Sequence, residues 1–158
     1  MRTLVIYYSH DLNTKLIAEN IASSLNADLY RVKPSRELKE KGLKKYIEAY
    51  KMIYHKSKPQ LENVNVDFSR YDCIYVGTPV WFFNVAPAIR TLLLDKISDK
   101  EVALFYTHNG FEYNFVENAK ELIEKKNRFV SLHGFINVKD HQMDCLLESD
   151  NWAHRFVI

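Results

Sequence analysis

The sequence predicts an α/β chain: a five-stranded, mostly parallel sheet with helices on both faces. Three observations carry this reading. Short apolar runs rich in β-branched and aromatic residues alternate with stretches of helical periodicity along the chain. Two of those runs, ending at Tyr8 and Val76, stop abruptly in small polar residues, and the first opens directly into a helical pattern. With 158 residues and 47% hydrophobic content, the chain can form one core that buries roughly 70% of its unfolded surface. A single domain over residues 1–158 is therefore expected. Its longest irregular connection, Gln60 to Arg70, is too short to separate two domains.

The elements follow in order. Thr3 to Tyr8 reads as a buried strand, and Asn13 to Leu25 as a helix with Leu16, Ile17, Ile21 and Leu25 on one face. Ala27 to Lys33 is a shorter strand. Ser35 to about His55 reads as a basic helix, in which Leu43, Tyr46, Ile47, Tyr50, Ile53 and Tyr54 recur at helical spacing and Pro59 helps mark the end. Tyr71 to Val76 is the third strand. Pro87 to Lys96 is a helix, with proline tolerated in its first turn. Val102 to Thr107 is a strand, Glu112 to Glu124 a helix, and Phe129 to Val138 holds a fifth strand. The stretch Asp140 to Ile158 ends in a short helix that Ser149 or Asp150 would cap, carrying Trp152 and Phe156 inward.

Composition narrows the function classes. The two cysteines, Cys73 and Cys145, form no C-x-x-C pair and have no zinc spacing with the six histidines, so no metal site is expected. Cys73 reads as a buried core thiol. No apolar run is long enough to span a bilayer and no signal segment opens the chain, so a cytoplasmic location is the expectation. Net charge is +2, but Arg31 to Lys58 holds 10 Lys/Arg against 3 Asp/Glu. Such a block could serve an acidic partner, an anionic membrane or nucleic acid. The helical spacing of its apolar residues favours a plain solvated helix face, and no nucleic-acid partner is expected. There is no nucleophile-and-base motif, phosphate-loop lysine or dinucleotide glycine fingerprint. Any chemistry would belong to a bound cofactor.

In an open α/β fold, ligands sit where strands end and helices begin. Ser9, Asn13 and Thr14, with the backbone N–H groups of the first helical turn, offer an anion site, although the same residue types also serve as helix caps. Trp81, Phe82 and Phe83 follow the third strand. Three consecutive large aromatics cannot all point inward from one loop, so at least one is exposed or covers a ligand. The pair suggests a cofactor with a phosphate at one end and a flat ring at the other.

Three segments carry a resemblance. They are Tyr8-Ser9-His10-Asp11-Leu12-Asn13-Thr14 with Ile17-Ala18 and Ile21-Ala22; Gly77-Thr78-Pro79-Val80-Trp81 with Ala86-Pro87 and Arg90-Thr91; and Ala103 to Gly110. Together they resemble the short-chain form of the flavodoxin-like, FMN-binding family, in order over roughly Thr3 to Val138. The resemblance implies a three-layer sandwich with strand order 2-1-3-4-5, FMN as cofactor and electron transfer through a non-covalent flavin. It places Ser9, His10, Asn13 and Thr14 at the phosphate. Thr78, Pro79, Val80, Trp81 and Phe82, with Thr107, His108, Asn109 and Gly110, would surround the ring. Trp81 would stack on the isoalloxazine, with Phe82 and Phe83 in the core or at the rim. Thr78 and Pro79 would shape the turn after the strand. Gly77 and Gly110 would either let the backbone approach the ring edge or be ordinary turn glycines. Phe111 or Tyr113 would cover the other ring face or pack against the next helix. No residue is assigned a catalytic role.

The departures from the family pattern are informative. Where the family usually has Thr-Gly-Asn-Thr, this chain has Asp11-Leu12-Asn13-Thr14. Leucine strongly prefers negative φ. A carboxylate about 4 Å from a phosphate charge would cost roughly 4 kcal/mol at an effective dielectric of 20, more than the ~0.3–1 kcal/mol that a helix N-terminus supplies. Asp11 is therefore expected to turn outward. The family's simple electron carriers are typically acidic, whereas this chain carries a basic helix. Two alternatives stay open: an FMN-dependent NAD(P)H:quinone or flavin reductase, and a cofactor-free interaction module. The partners implied are a flavin and a redox protein or small-molecule acceptor.

Overall fold

Residues of alternating parity along a strand face opposite sides of its sheet, so each apolar run can feed two cores. The computed structural model, which describes residues 2–39 and 41–156, shows both faces filled in this way. The strands are β1 (Thr3–Tyr7), β2 (Asp28–Arg31), β3 (Cys73–Trp81), β4 (Asn84–Val85), β5 (Glu101–His108) and β6 (Arg128–Ile136). The helices are α1 (Asn13–Leu25), α2 (Leu43–Tyr54), α3 (Pro87–Thr91, running into a wider turn at Leu92–Lys96), α4 (Phe115–Glu124) and α5 (Gln142–Ala153). On one face Leu4, Ile6, Ile74, Val76, Val102 and Leu104 pack with Ile89, Leu92, Phe115 and Ile123 of α3, its wider turn and α4. On the other, Val5, Tyr7, Tyr75 and Phe105 pack with Ile17, Ile21 and Trp152 of α1 and α5.

The sheet order is β2-β1-β3-β5-β6, all parallel, with the two-residue β4 pairing antiparallel to the end of β3. Setting β4 aside, this is the expected order 2-1-3-4-5, and the chain has the flavodoxin-like three-layer layout. β4 was not anticipated. Its two-residue hairpin uses Phe82 and Phe83 as central residues, both at positive φ (45° and 63°). A primed two-residue turn needs that geometry, but Asn-Gly is its usual signature.

Two helix expectations need correction. The basic helix does not begin at Ser35. Pro34 bridges Leu61, the Ser35 N–H donates to the Gln60 carbonyl and the Glu62 N–H to the Lys33 carbonyl, so this stretch is held extended. The helix starts only after Gly42, at φ 63°; Glu40, within the expected helix, lies outside the described residues. The last helix is longer than expected, and neither Ser149 nor Asp150 caps it. Both sit inside α5 and face α1: Asn20 Nδ2 donates to Ser149 Oγ at 2.9 Å, and Ser24 Oγ donates to Asp150. Trp152 is buried and Phe156 packs beside the same core, as the sequence suggests. Val157 and Ile158 lie outside the described residues.

Candidate functional site

The parallel register brings the ends of β1, β3 and β5 to one sheet edge, with Tyr7 opposite Gly77 and Pro79 opposite Thr107. A cleft of about 530 Å³ opens there. His10, Asp11 and Asn13 line it from the first loop, and Pro79, Val80, Trp81, Phe82 and Phe83 from β3 and its turn. Thr107, His108, Asn109 and Phe111 line it after β5, and Lys45, Tyr46 and Ala49 close it from α2.

In the first loop the backbone turns sharply at Leu12, which holds φ 74° and is largely exposed. A left-handed leucine costs about 1–2 kcal/mol, and this is the position where the family pattern has glycine. The loop's side chains are engaged within the protein. Ser9 Oγ is buried and accepts the Lys15 N–H at 3.2 Å, as a helix cap does. Thr14 Oγ1 is buried 2.8 Å from Thr107 Oγ1, so this hydroxyl pair joins α1 to the end of β5. The sequence leads one to expect Asp11 turned outward, away from the helix; instead it stays at the first turn of α1. Its carboxylate accepts the Asn13 N–H at 3.2 Å and Asn13 Nδ2 at 3.0 Å, and it lines the cleft. The reason is local: the helix N-terminus favours any nearby anion, and the nearest is its own chain's carboxylate.

The opposite wall is aromatic. Trp81 is half-buried and meets Tyr8 edge-on at 6.0 Å and His10 at 6.4 Å. It also borders a small void of about 20 Å³ beneath it, next to Leu38, Met52 and Ala88, so the indole forms the partition between core and cleft. Tyr8 donates its hydroxyl to Glu37 at 3.2 Å; burial and that carboxylate hold the phenol protonated well above its ordinary range. Thr78 is fully buried, accepting the Ala86 N–H and donating to the Pro79 carbonyl, both at 2.9 Å.

The turn lies beyond Trp81 rather than at Thr78 and Pro79, because β3 continues through both. Gly77 directs its carbonyl toward β1, where it accepts the Tyr8 N–H at 3.0 Å. Pro79, two residues on, faces the same side after β1 has ended, so its missing donor is not needed. Gly77 itself is a packing glycine: a Cβ there would lie 2.2 Å from the Phe105 ring.

After β5, the Gly110 N–H donates to His108 Nδ1 at 3.2 Å, which leaves the imidazole proton on Nε2, 3.7 Å from Glu112. Burial lowers the His108 pKa, and Glu112 raises it only in part. Gly110, at φ 104°, shapes this loop without lining the cleft. Phe111 and Tyr113 are exposed rather than packed into the next helix, whose first residue is Phe115.

Of the residues expected at the site, His10, Asn13, Pro79, Val80, Trp81, Phe82, Thr107, His108 and Asn109 line the cleft, while Ser9, Thr14, Thr78 and Gly110 support it from behind or beside. Sequence reasoning missed Lys45, Tyr46 and Ala49. Lys45 Nζ donates to His10 Nε2, tying α2 to the first loop. The available signal was the tyrosine spacing in a lysine-rich helix, which reads as a solvated face until the helix is positioned. Among the described residues, no group of three or more His, Cys, Asp or Glu side chains is arranged to hold a metal ion.

Comparison with known proteins bears on the same region. A family model described as Flavodoxin matches residues 2–143. A flavoprotein from Lactobacillus acidophilus NCFM, crystallised in complex with FMN, is 30% identical, with TM-score 0.75, over 90% of this chain and 96% of its own. The apo form of the flavoprotein from that organism, solved by NMR, is 30% identical with TM-score 0.68, over 88% of this chain and 95% of its own. Oxidised Flavodoxin 2 from Bacillus cereus, 20% identical with TM-score 0.54 over 97% and 95% of the two chains, shares the fold. No curated protein matches the sequence.

Proposed function

The chain belongs to the flavodoxin family, and from that premise we propose that it binds FMN in this cleft and passes electrons through it to a redox partner. The observation that carries the reading is the meeting of Trp81 with the first turn of α1 across a cleft of about 530 Å³. An aromatic wall suits a flavin ring, and a helix N-terminus suits a phosphate. Trp81, with Pro79, Val80 and Phe82, would hold one side of the ring, and the backbone and side chains from Thr107 to Gly110 its polar edge. The phosphate would lie at the backbone N–H groups from His10 to Thr14 and the Asn13 amide, with Ser9 and Thr14 shaping the loop. An anion entering there must replace Asp11 on the Asn13 donors. Bound flavin supplies the reversible uptake and release of electrons. The protein fixes its orientation, limits water and presents His108 at the cleft wall.

The test begins with the flavin released from purified protein, identified by chromatography and mass. Anaerobic stopped-flow mixing with NADH and NADPH then separates carrier from reductase. The carrier reading expects no rapid direct reduction by either nucleotide. Fast reduction would assign the chain to the NAD(P)H-dependent quinone or flavin reductases instead, and protein that takes up no flavin would leave the cofactor-free interaction module.

A further inference from the structure

Helix α2 contributes no side chain to either buried cluster; only Ala49 and Ile53 are buried, with Met52 half-buried beneath Trp81. The apolar positions that made it look amphipathic are mostly exposed: Leu43 at 75%, Tyr46 at 65% and Tyr54 at 70%, with Ile47 and Tyr50 between them. Residues 43, 46, 47, 50 and 54 fall on one side of a 3.6-residue helix, so they form one continuous stripe. The stripe runs into the cleft mouth. Tyr46 lines the cleft, and Tyr50 meets Phe82 of the strained turn edge-on at 5.5 Å. Lys44 and Lys51, both exposed, flank it on the side away from Ala49 and Ile53, within the segment that carries 10 basic and 3 acidic residues. Exposed apolar stripes of this kind mark contact surfaces, and two left-handed phenylalanines persist only where the surroundings enforce them.

We propose that the α2 stripe with the Phe82–Phe83 turn is the docking face for an acidic protein partner, one that covers the cleft mouth when bound. The docking stands on the stripe and its charge; the partner's redox role and the preference for a protein over a lipid surface rest on the FMN reading. Charge selects the occupant. A second copy of the chain would set two strongly basic segments against each other, whereas an acidic protein is steered in and then held by the aromatic contacts. Continuity with the cleft favours a protein that must reach a buried cofactor over a lipid surface.

The test maps binding by NMR on the isotope-labelled full chain, with and without FMN. The probes are an acidic [2Fe–2S] ferredoxin and a basic c-type cytochrome. The ferredoxin should perturb α2 from Leu43 to Tyr54 together with Phe82 and Phe83, and the effect should fade by roughly 0.5 M salt, where screening reaches only a few ångströms. The cytochrome should leave that face unperturbed. Lys44→Glu combined with Lys51→Glu should weaken ferredoxin binding by about tenfold or more while leaving FMN affinity unchanged. Tyr54→Ser, at an exposed position, should weaken it without altering the fold. Equal perturbation by both probes, perturbation confined to another face, or tight binding of the α2 stripe to phosphatidylserine vesicles would overturn the proposal. Ferredoxin mapping to α2 in a protein that takes up no FMN would instead preserve the docking face and remove the cofactor reading.

Discussion

Across the cleft stand two loops built in opposite ways. The loop after β1 engages polar side chains with its own chain: Ser9 accepts the Lys15 N–H, Thr14 pairs with Thr107, and Asp11 accepts the Asn13 N–H. The turn after β3 turns large apolar side chains outward, leaving Phe82 and Phe83 exposed at the rim. Both carry non-glycine residues at positive φ, Leu12 in one and Phe82 and Phe83 in the other. In the first, the strain stems from a replaced glycine and supports no visible contact, since Leu12 is exposed. In the second, the strain aims two aromatics at the cleft and at α2. Equal local geometry thus has different meanings, and the neighbouring contacts decide between them.

Four variants, from largest effect to smallest, probe this contrast. Gly77 links the two loops, since its carbonyl accepts the Tyr8 N–H and its missing side chain makes room for Phe105. Gly77→Ala overpacks that junction and should lower unfolding stability by roughly 3 kcal/mol, with loss of flavin binding, as read from denaturant titration. Unaltered stability would mean that the two loops are not coupled through β3.

Replacing the turn by its usual signature, Phe82→Asn with Phe83→Gly, should raise stability by about 2 kcal/mol while weakening flavin binding severalfold. A gain in stability with unchanged affinity would reduce the turn to simple strain and erase its difference from the first loop. Asp11→Asn removes the competing charge but keeps a side chain of the same shape. It should tighten FMN binding about tenfold and leave riboflavin, which lacks the phosphate, unaffected. Parallel changes for both flavins would show that Asp11 acts on the ring side or through loop shape.

Leu12→Gly relieves strain at an exposed position. It should add about 1 kcal/mol of stability, a rise of roughly 2–4 °C in Tm for a chain of this size. A lower Tm would mean that Leu12 makes a stabilising contact that its exposure does not reveal.

Much of the fold was legible because its signals are local. The β1, β3 and β5 runs alternate faces as their sequences require, and Asn13 to Leu25 is the helix its spacing describes. Two of the misreadings share a cause, which is chemistry settled by distant partners. Ser149 and Asp150 look like caps by type but serve Asn20 and Ser24 of α1. The stretch after Pro34 looks helical but is held by residues 60–62. Phe82-Phe83 has no turn signature at all. At the cleft, the aromatic wall of Trp81 and its neighbours was readable, whereas α2's share depended on where that helix lies. Asp11 was misjudged because repulsion from a phosphate was weighed without its attraction to its own helix.

The most direct measurement titrates apo protein into FMN and follows flavin fluorescence for wild type and Trp81→Ala. Wild type should quench the flavin with one-to-one saturation. The variant should bind more weakly, by about 1 kcal/mol, and leave the bound flavin brighter, because the stacking indole is gone. Wild-type protein that leaves FMN fluorescence unchanged, or a variant identical to it in affinity and quenching, would contradict the assignment of this cleft and of Trp81 to the flavin.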